Sequence, residues 1–345
     1  MQDLTIIRPD DWHTHLRDGA ALARVVADTA RRFARAIVMP NLDPPVTTVA
    51  AAAGYRERIL AALGEGVDFE PLMTLYLSDA TSRAEIRAAH ASGFVHAAKL
   101  YPAGATTHSE YGVSDIEAIA AALDEMQRYD LPLLVHGETT DPEVDVFDRE
   151  RVFIERTLSE LVARYPGLRI VLEHVSTATG VEFVRAAPPR VAATVTAHHL
   201  LLNRNALLAG RLAPHHYCAP ILKREGDRQA LLKAASGDDP SFFLGSDSAP
   251  HPRTAKEAAH GCAGIYTAHA AIELYAEAFA EVGALDRLED FASRRGAAFY
   301  GLPLNTDSLT LERADWTVPP AIDLGGRALV PLRASAAVGW RLAGR

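Results

Sequence analysis

LPLLVHGE, residues 131–138, is an apolar run that ends in a histidine. A short, near-continuous apolar run bounded by turn formers reads as a strand buried on both faces, as in a parallel sheet. The same pattern recurs in IIRPDDWHTH (6–15), RAIVMPN (35–41), FEPLMTLYL (69–77), VHAAKLY (95–101), RIVLEHVS (169–176), VAATVTAHHL (191–200) and FFLGSDSAPH (242–251), making eight strands. Between them lie segments of helical character: GAALARVVADTARRF (19–33), TVAAAAGYRERILAAL (48–63), DIEAIAAALDEMQRY (115–129), the stretch 148–165, and REGDRQALLKAAS (224–236). This eightfold alternation of strand and helix, over roughly the 250 residues typical of such folds, predicts an α/β protein with a (β/α)8 TIM-type barrel. No GxGxxG or GxxxxGK[ST] fingerprint points instead to a nucleotide-binding sheet.

Residues 1–304 are expected to form the barrel. The remainder, 305–345, contains TLERADWTVPP and ALVPLRASAAVGWRL, extended pieces with prolines and no helical period, and reads as a short C-terminal extension packed on the barrel. The chain has 345 residues, 48% of them hydrophobic and 23% charged, enough for one large domain. No window approaches the run of about 20 apolar residues that spans a bilayer, and the N-terminus lacks a secretory layout, so a cytoplasmic location is expected. Cys218 and Cys262 are too few for a disulfide framework. A net charge of -9 without a long Lys/Arg block argues against nucleic acid and leaves a small molecule as the expected partner.

The polar residues at the ends of the apolar runs carry the chemistry. His13, His15, Asn41, Lys99, His136, His174 and Asp247 all fall there, on what a barrel makes into one shared face, the face that holds active sites. His13 and His15 are two apart, so on a strand both imidazoles point the same way. Four histidines and an aspartate offer the nitrogen and oxygen donors that Zn2+ or a similar divalent ion accepts. Lys99 fits poorly beside a cation unless burial lowers its pKa and it reacts with CO2, which turns it into an anionic carbamate able to bridge two metals.

DWHTHLRDG, MPNL, KLYPAGATT, HGE, EH and GSDSAPH, followed by NRN, PILK, KE, GCAG and FYGLP, together resemble the type II dihydroorotases of the amidohydrolase superfamily over nearly the whole chain. The resemblance implies a hydrolase of pyrimidine biosynthesis that interconverts N-carbamoyl-L-aspartate and dihydroorotate, two Zn2+ per chain bridged by carboxylated Lys99, and a homodimer. It implies one zinc on His13, His15, Lys99 and Asp247 and the other on Lys99, His136 and His174. Asp247 would be the catalytic acid and base. Arg17, Asn41 and His251 would hold the substrate carboxylate, with His15 and His136 beside the substrate, backbone groups near Ala219 and Ala263 touching its ring, and Thr106 and Thr107 on a mobile loop above it. At Ala219 the family pattern carries a bulkier residue such as Leu. His96, His108, His198, His199, His215, His216, His260 and His269 match no ligand motif. Two rival readings are a hydantoinase-like cyclic amidase, which shares the metal centre but has less need of the Arg17, Asn41 and His251 trio, and a non-catalytic barrel.

Overall fold

A computed structural model describes residues 3–344 of the chain. The first strand, β1 (Asp3–Ile7), stands apart from the eight that follow: β2 (Asp11–Thr14), β3 (Arg35–Val38), β4 (Glu70–Tyr76), β5 (Val95–Leu100), β6 (Leu133–His136), β7 (Ile170–Glu173), β8 (Val191–Val195) and β9 (Phe242–Leu244). These eight form one sheet in sequential order, every neighbouring pair parallel. The seam between β9 and β2 closes just beyond their ends. Thr14 and Ser248 form a parallel bridge, Asp247 N donates to His13 O at 2.8 Å, and His15 N donates to Ser248 O at 3.1 Å.

Helices cover the outside of the sheet, and several start where a hydroxyl side chain satisfies a free backbone N–H. Thr48 accepts from Ala51 N ahead of helix Val49–Ala62, Ser82 from Glu85 N ahead of Arg83–Ser92, and Thr177 from Gly180 N ahead of Ala178–Ala186. The stretch expected to be helical from 148 to 165 is so, as Arg149–Phe153, a wider turn at Ile154–Leu158, and Ser159–Arg164.

The period of two along each strand sorts side chains between two cores. Leu133 and Val135 face the helices, while Trp12, Ile37, Leu72, Ala97, Leu134, Val171, Ala192 and Phe243 fill the barrel. Tyr300, from helix Arg295–Tyr300, plugs the end opposite the site by stacking on Trp12 with ring centroids 4.5 Å apart. Gly296 permits this approach, since a Cβ there would lie 2.0 Å from Trp12 Nε1. Continuing by two residues, the inward series runs Ala97 to Lys99, Leu134 to His136, Val171 to Glu173 and Ala192 to Thr194. The apolar filling therefore gives way to polar groups at the C-terminal ends.

One run read as a single strand is two. Pro9 has no N–H to donate to a ladder, and IIRPDDWHTH breaks there. β1 turns away to pair antiparallel with β10 (Ser308–Glu312), Asp3 opposite Glu312, and β10 pairs in turn with Arg341–Leu342. Asp10, in the break, holds Arg35 at the base of β3 through two bonds of 3.0 and 2.6 Å. Among the described residues no helix is long and apolar enough to cross a membrane.

Candidate active site

At the open end of the barrel, His13, His136 and His174 bring their rings together, His174 lying 5.0 Å from His13 and 4.9 Å from His136 between centroids. His15 lies 5.4 Å from His13. His136 completes β6, so the strand itself aims it inward. His174 and Asp247 lie just past β7 and β9 with φ of 42° and 43°. That left-handed backbone costs energy for a residue other than glycine and is concentrated at functional sites.

One oxygen of Asp247, Oδ1, lies 3.0 Å from His15 Nε2 and 3.4 Å from His13 Nε2. The opposite nitrogens also face oxygens: His13 Nδ1 lies 2.7 Å from Glu173 Oε2, and His15 Nδ1 lies 2.9 Å from Asn41 Oδ1. A neutral imidazole has one N–H, so neither ring can donate on both sides. For His15 the charged form is no remedy, because burial pulls its pKa down to about 4 despite the bond to Asp247. A divalent cation among the Nε2 atoms and the Asp247 carboxylate suits this donor set, with Nδ1–H of each ring left to orient it against its carboxylate or amide.

Lys99 is fully buried and its Nζ has no hydrogen-bond partner. Burial lowers its pKa to about 8, against the opposing charges of Glu173 and Asp247. Its ammonium lies 5.1 Å above the ring of Tyr101. Burial also opposes ionisation of Asp247, yet the hydrogen bond from His15 holds its carboxyl well below the usual range.

A second group surrounds the mouth. Arg17 Nη2 lies 3.0 Å from His251 Nε2, its Nε donates to Pro250 O at 3.4 Å, and its buried Nη1 has no partner. Burial and the neighbouring Arg17 charge keep the His251 pKa well below 6.5, so His251 is the acceptor in this pair. Asn41 donates from Nδ2 to Thr107 O at 3.1 Å while its Oδ1 faces His15, which links the loop carrying Thr106 and Thr107 to the histidines. Thr107 Oγ1 in turn donates to Ala263 O at 3.5 Å. His13, His15, Arg17, Asn41, Thr106, Thr107, His136, His174, Ala219, Asp247 and Ala263 all line one cavity, and Lys99 and His251 are not part of its lining. Its volume is about 20 Å3, room for little more than a water molecule.

Several supporting residues stand beside the candidate ligands and hold them in place. Glu173 Oε2 accepts from Thr194 Oγ1 at 2.5 Å as well as facing His13. Glu138 lies 3.0 Å from His136 Nε2 and 4.0 Å from Lys223. Asp11 accepts from Ser246 N at 2.8 Å and Ser246 Oγ at 2.5 Å, fixing the turn that presents Asp247. Each of these carboxylates lies inside a stretch that carries the family resemblance, DWHTHLRDG, HGE or EH, but nothing in the stretch assigns it a task of its own. Tyr101 also lines the cavity.

The amidohydrolase family model matches residues 5–313. A dihydroorotase of Nitrosomonas europaea is 61% identical over 342 residues, covering 99% of this chain and 98% of that protein. Among solved structures, dihydroorotase from Campylobacter jejuni superposes with a TM-score of 0.91 at 34% identity, covering 99% of this chain and 98% of that one. Dihydroorotase from Saccharomyces cerevisiae, in complex with 5-fluoroorotic acid, superposes with a TM-score of 0.90 at 32% identity and covers 100% of both chains.

Proposed function

The chain belongs to the amidohydrolase family and, within it, to the dihydroorotases, hydrolases of a cyclic amide in pyrimidine biosynthesis; from that premise we propose that this cavity closes N-carbamoyl-L-aspartate to dihydroorotate and reopens it, with Arg17, Asn41 and His251 gripping the ring carboxylate. The observation that carries the proposal is Arg17 Nη1, buried and without a partner at one side of a cavity whose other side is the histidine and aspartate cluster. A planar guanidinium suits a carboxylate, and Asn41 adds a neutral donor. The 5-fluoroorotic acid in the yeast complex is a pyrimidine acid of this kind.

Two Zn2+ ions per chain would be held by His13, His15, Lys99 and Asp247 and by Lys99, His136 and His174, with Lys99 carboxylated between them. Bound there, they supply Lewis acidity and lower the pKa of water from 15.7 toward about 7. The unpartnered Lys99 amine supports carbamate formation, in which nitrogen adds to CO2 and a proton is released. Asp247, held ionised, takes a proton from water as the water oxygen bonds to the amide carbon and gives it to the ring nitrogen as the C–N bond breaks; in closure it moves the proton the other way. Backbone groups at Ala219 and Ala263 flank the ring, and the loop with Thr106 and Thr107 shuts out water. The family resemblance supports a homodimer, and the free thiols of Cys218 and Cys262 suit a cytoplasmic setting.

Arg17→Ala measured on two substrates tests this reading. With dihydroorotate, kcat/KM should fall by roughly 10- to 150-fold, the equivalent of about 1.5 to 3 kcal/mol for a charge-assisted bond. Hydantoin has no ring carboxylate, and any turnover of it should hardly change. Equal losses on both would make Arg17 a structural residue and favour a general cyclic amidase.

A further inference from the structure

Two of the histidines without a ligand motif in the sequence lie in a second buried cluster. His198 and His199, on helix Ala197–Leu201, and Cys218, on the loop before Ala219, each offer a donor atom, and these atoms lie within 4.8 Å of one another. We propose that His198, His199 and Cys218 form a separate binding site for a soft divalent cation such as Zn2+, sharing no ligand with the His13, His15 and Asp247 cluster.

The strongest support is His198. It is fully buried, yet neither ring nitrogen has a hydrogen-bond partner. Buried polar groups are almost always satisfied, and an orphan imidazole beside another imidazole and a thiol calls for an electron-pair acceptor. The neighbours are arranged to supply two more ligands. His199 Nε2 and Cys218 Sγ both approach Pro220 O, each at 3.1 Å, so the two donor atoms converge on one place. On its far side His199 Nδ1 lies 2.8 Å from Thr196 Oγ1, and a hydroxyl can donate or accept there, so the ring changes tautomer without losing that bond. Such an outer hydrogen bond is the usual companion of a ligating histidine.

Thiolate and imidazole together select Zn2+ or another thiophilic ion over Mg2+ or Ca2+. Binding displaces the thiol proton to solvent as the S–metal bond forms. The site also braces the backbone leading into Ala219, which lines the substrate cavity.

Cobalt separates this site from the primary one, whose ligands are all nitrogen and oxygen. Full-length protein produced in cobalt-supplemented medium should show a thiolate-to-cobalt charge-transfer absorption in the near ultraviolet. Cys218→Ser should abolish the band and lower metal content by one ion per chain, and Cys262→Ser should leave both unchanged. His198→Gln keeps the thiol and, as a second probe should the serine variant fail to fold, should weaken cobalt affinity at this site at least tenfold. Absence of the band in the wild type, its survival in Cys218→Ser, or unaltered affinity in His198→Gln would overturn the proposal. Failure of the dihydroorotase assay would leave the band unaffected, so the two readings fail independently.

Discussion

The carboxylate of Asp247 is held ionised by the two imidazoles it faces, which suits it to accept a proton. Asp247→Asn keeps the shape and one oxygen donor but removes the basic site. In both reaction directions kcat should fall by about 10^2- to 10^4-fold, the range for loss of a general acid or base, while bound metal measured by elemental analysis stays near the wild-type level. A wild-type rate with metal retained would reduce Asp247 to a ligand. At this scale the sequence is legible wherever a side chain follows the strand period. Lys99 and His136 continue the inward series of Ala97 and Leu134, so their placement can be read from alternation. His174 and Asp247 reach the same space through left-handed residues just past the strand ends, which no pattern of apolar residues reveals. Glu173 and Asp11 were not legible as functional residues, because their partners lie 160 and 235 positions away.

The loop from Pro102 to Val113 is organised around Ser109, which is fully buried. Its hydroxyl donates to Thr106 O at 2.6 Å and accepts from Thr106 N at 2.8 Å, while its carbonyl accepts from Gly104 N at 3.0 Å. Gly112 closes the turn where a Cβ would lie 2.4 Å from Tyr101 O. These contacts hold Thr107 over the histidines, at the wall of the cavity. Ser109→Ala removes two of the bonds that define this form, at about 0.5 to 1.5 kcal/mol each. Expected is a fall of roughly tenfold in kcat/KM with the melting temperature within about 1 °C of wild type, since Ser109 belongs to neither apolar core. A large drop in melting temperature would mean that the loop belongs to the folding unit. Sequence marks this segment as a loop through its small and polar residues, but not the hydroxyl that shapes it.

The barrel and its flanking sheet form one object, because β1 and β10 bind the two ends of the chain together. Leu311, fully buried in β10, tests how much that union matters. Leu311→Ala should cost about 2 to 5 kcal/mol in denaturant unfolding, the range for a core leucine, with kcat at 25 °C unchanged. A loss under about 0.5 kcal/mol would show the clamp to be peripheral. The eight barrel strands were legible because burial on both faces leaves an apolar signature. The partner of β1 was not, since five residues of alternating character fit an edge strand of any sheet.

That clamp sets a timetable for biosynthesis. β1 is made well before its partner, which starts at Ser308, an interval of roughly 15 to 60 s at 5 to 20 residues per second. The barrel seam is similarly delayed, because His13 and His15 await Asp247 and Ser248. Until Asp247, Ser248 and then β10 have been synthesised, both early strands present open edges to other chains. Keeping β1 to five residues, with Asp3 and Thr5 along it, limits that exposure.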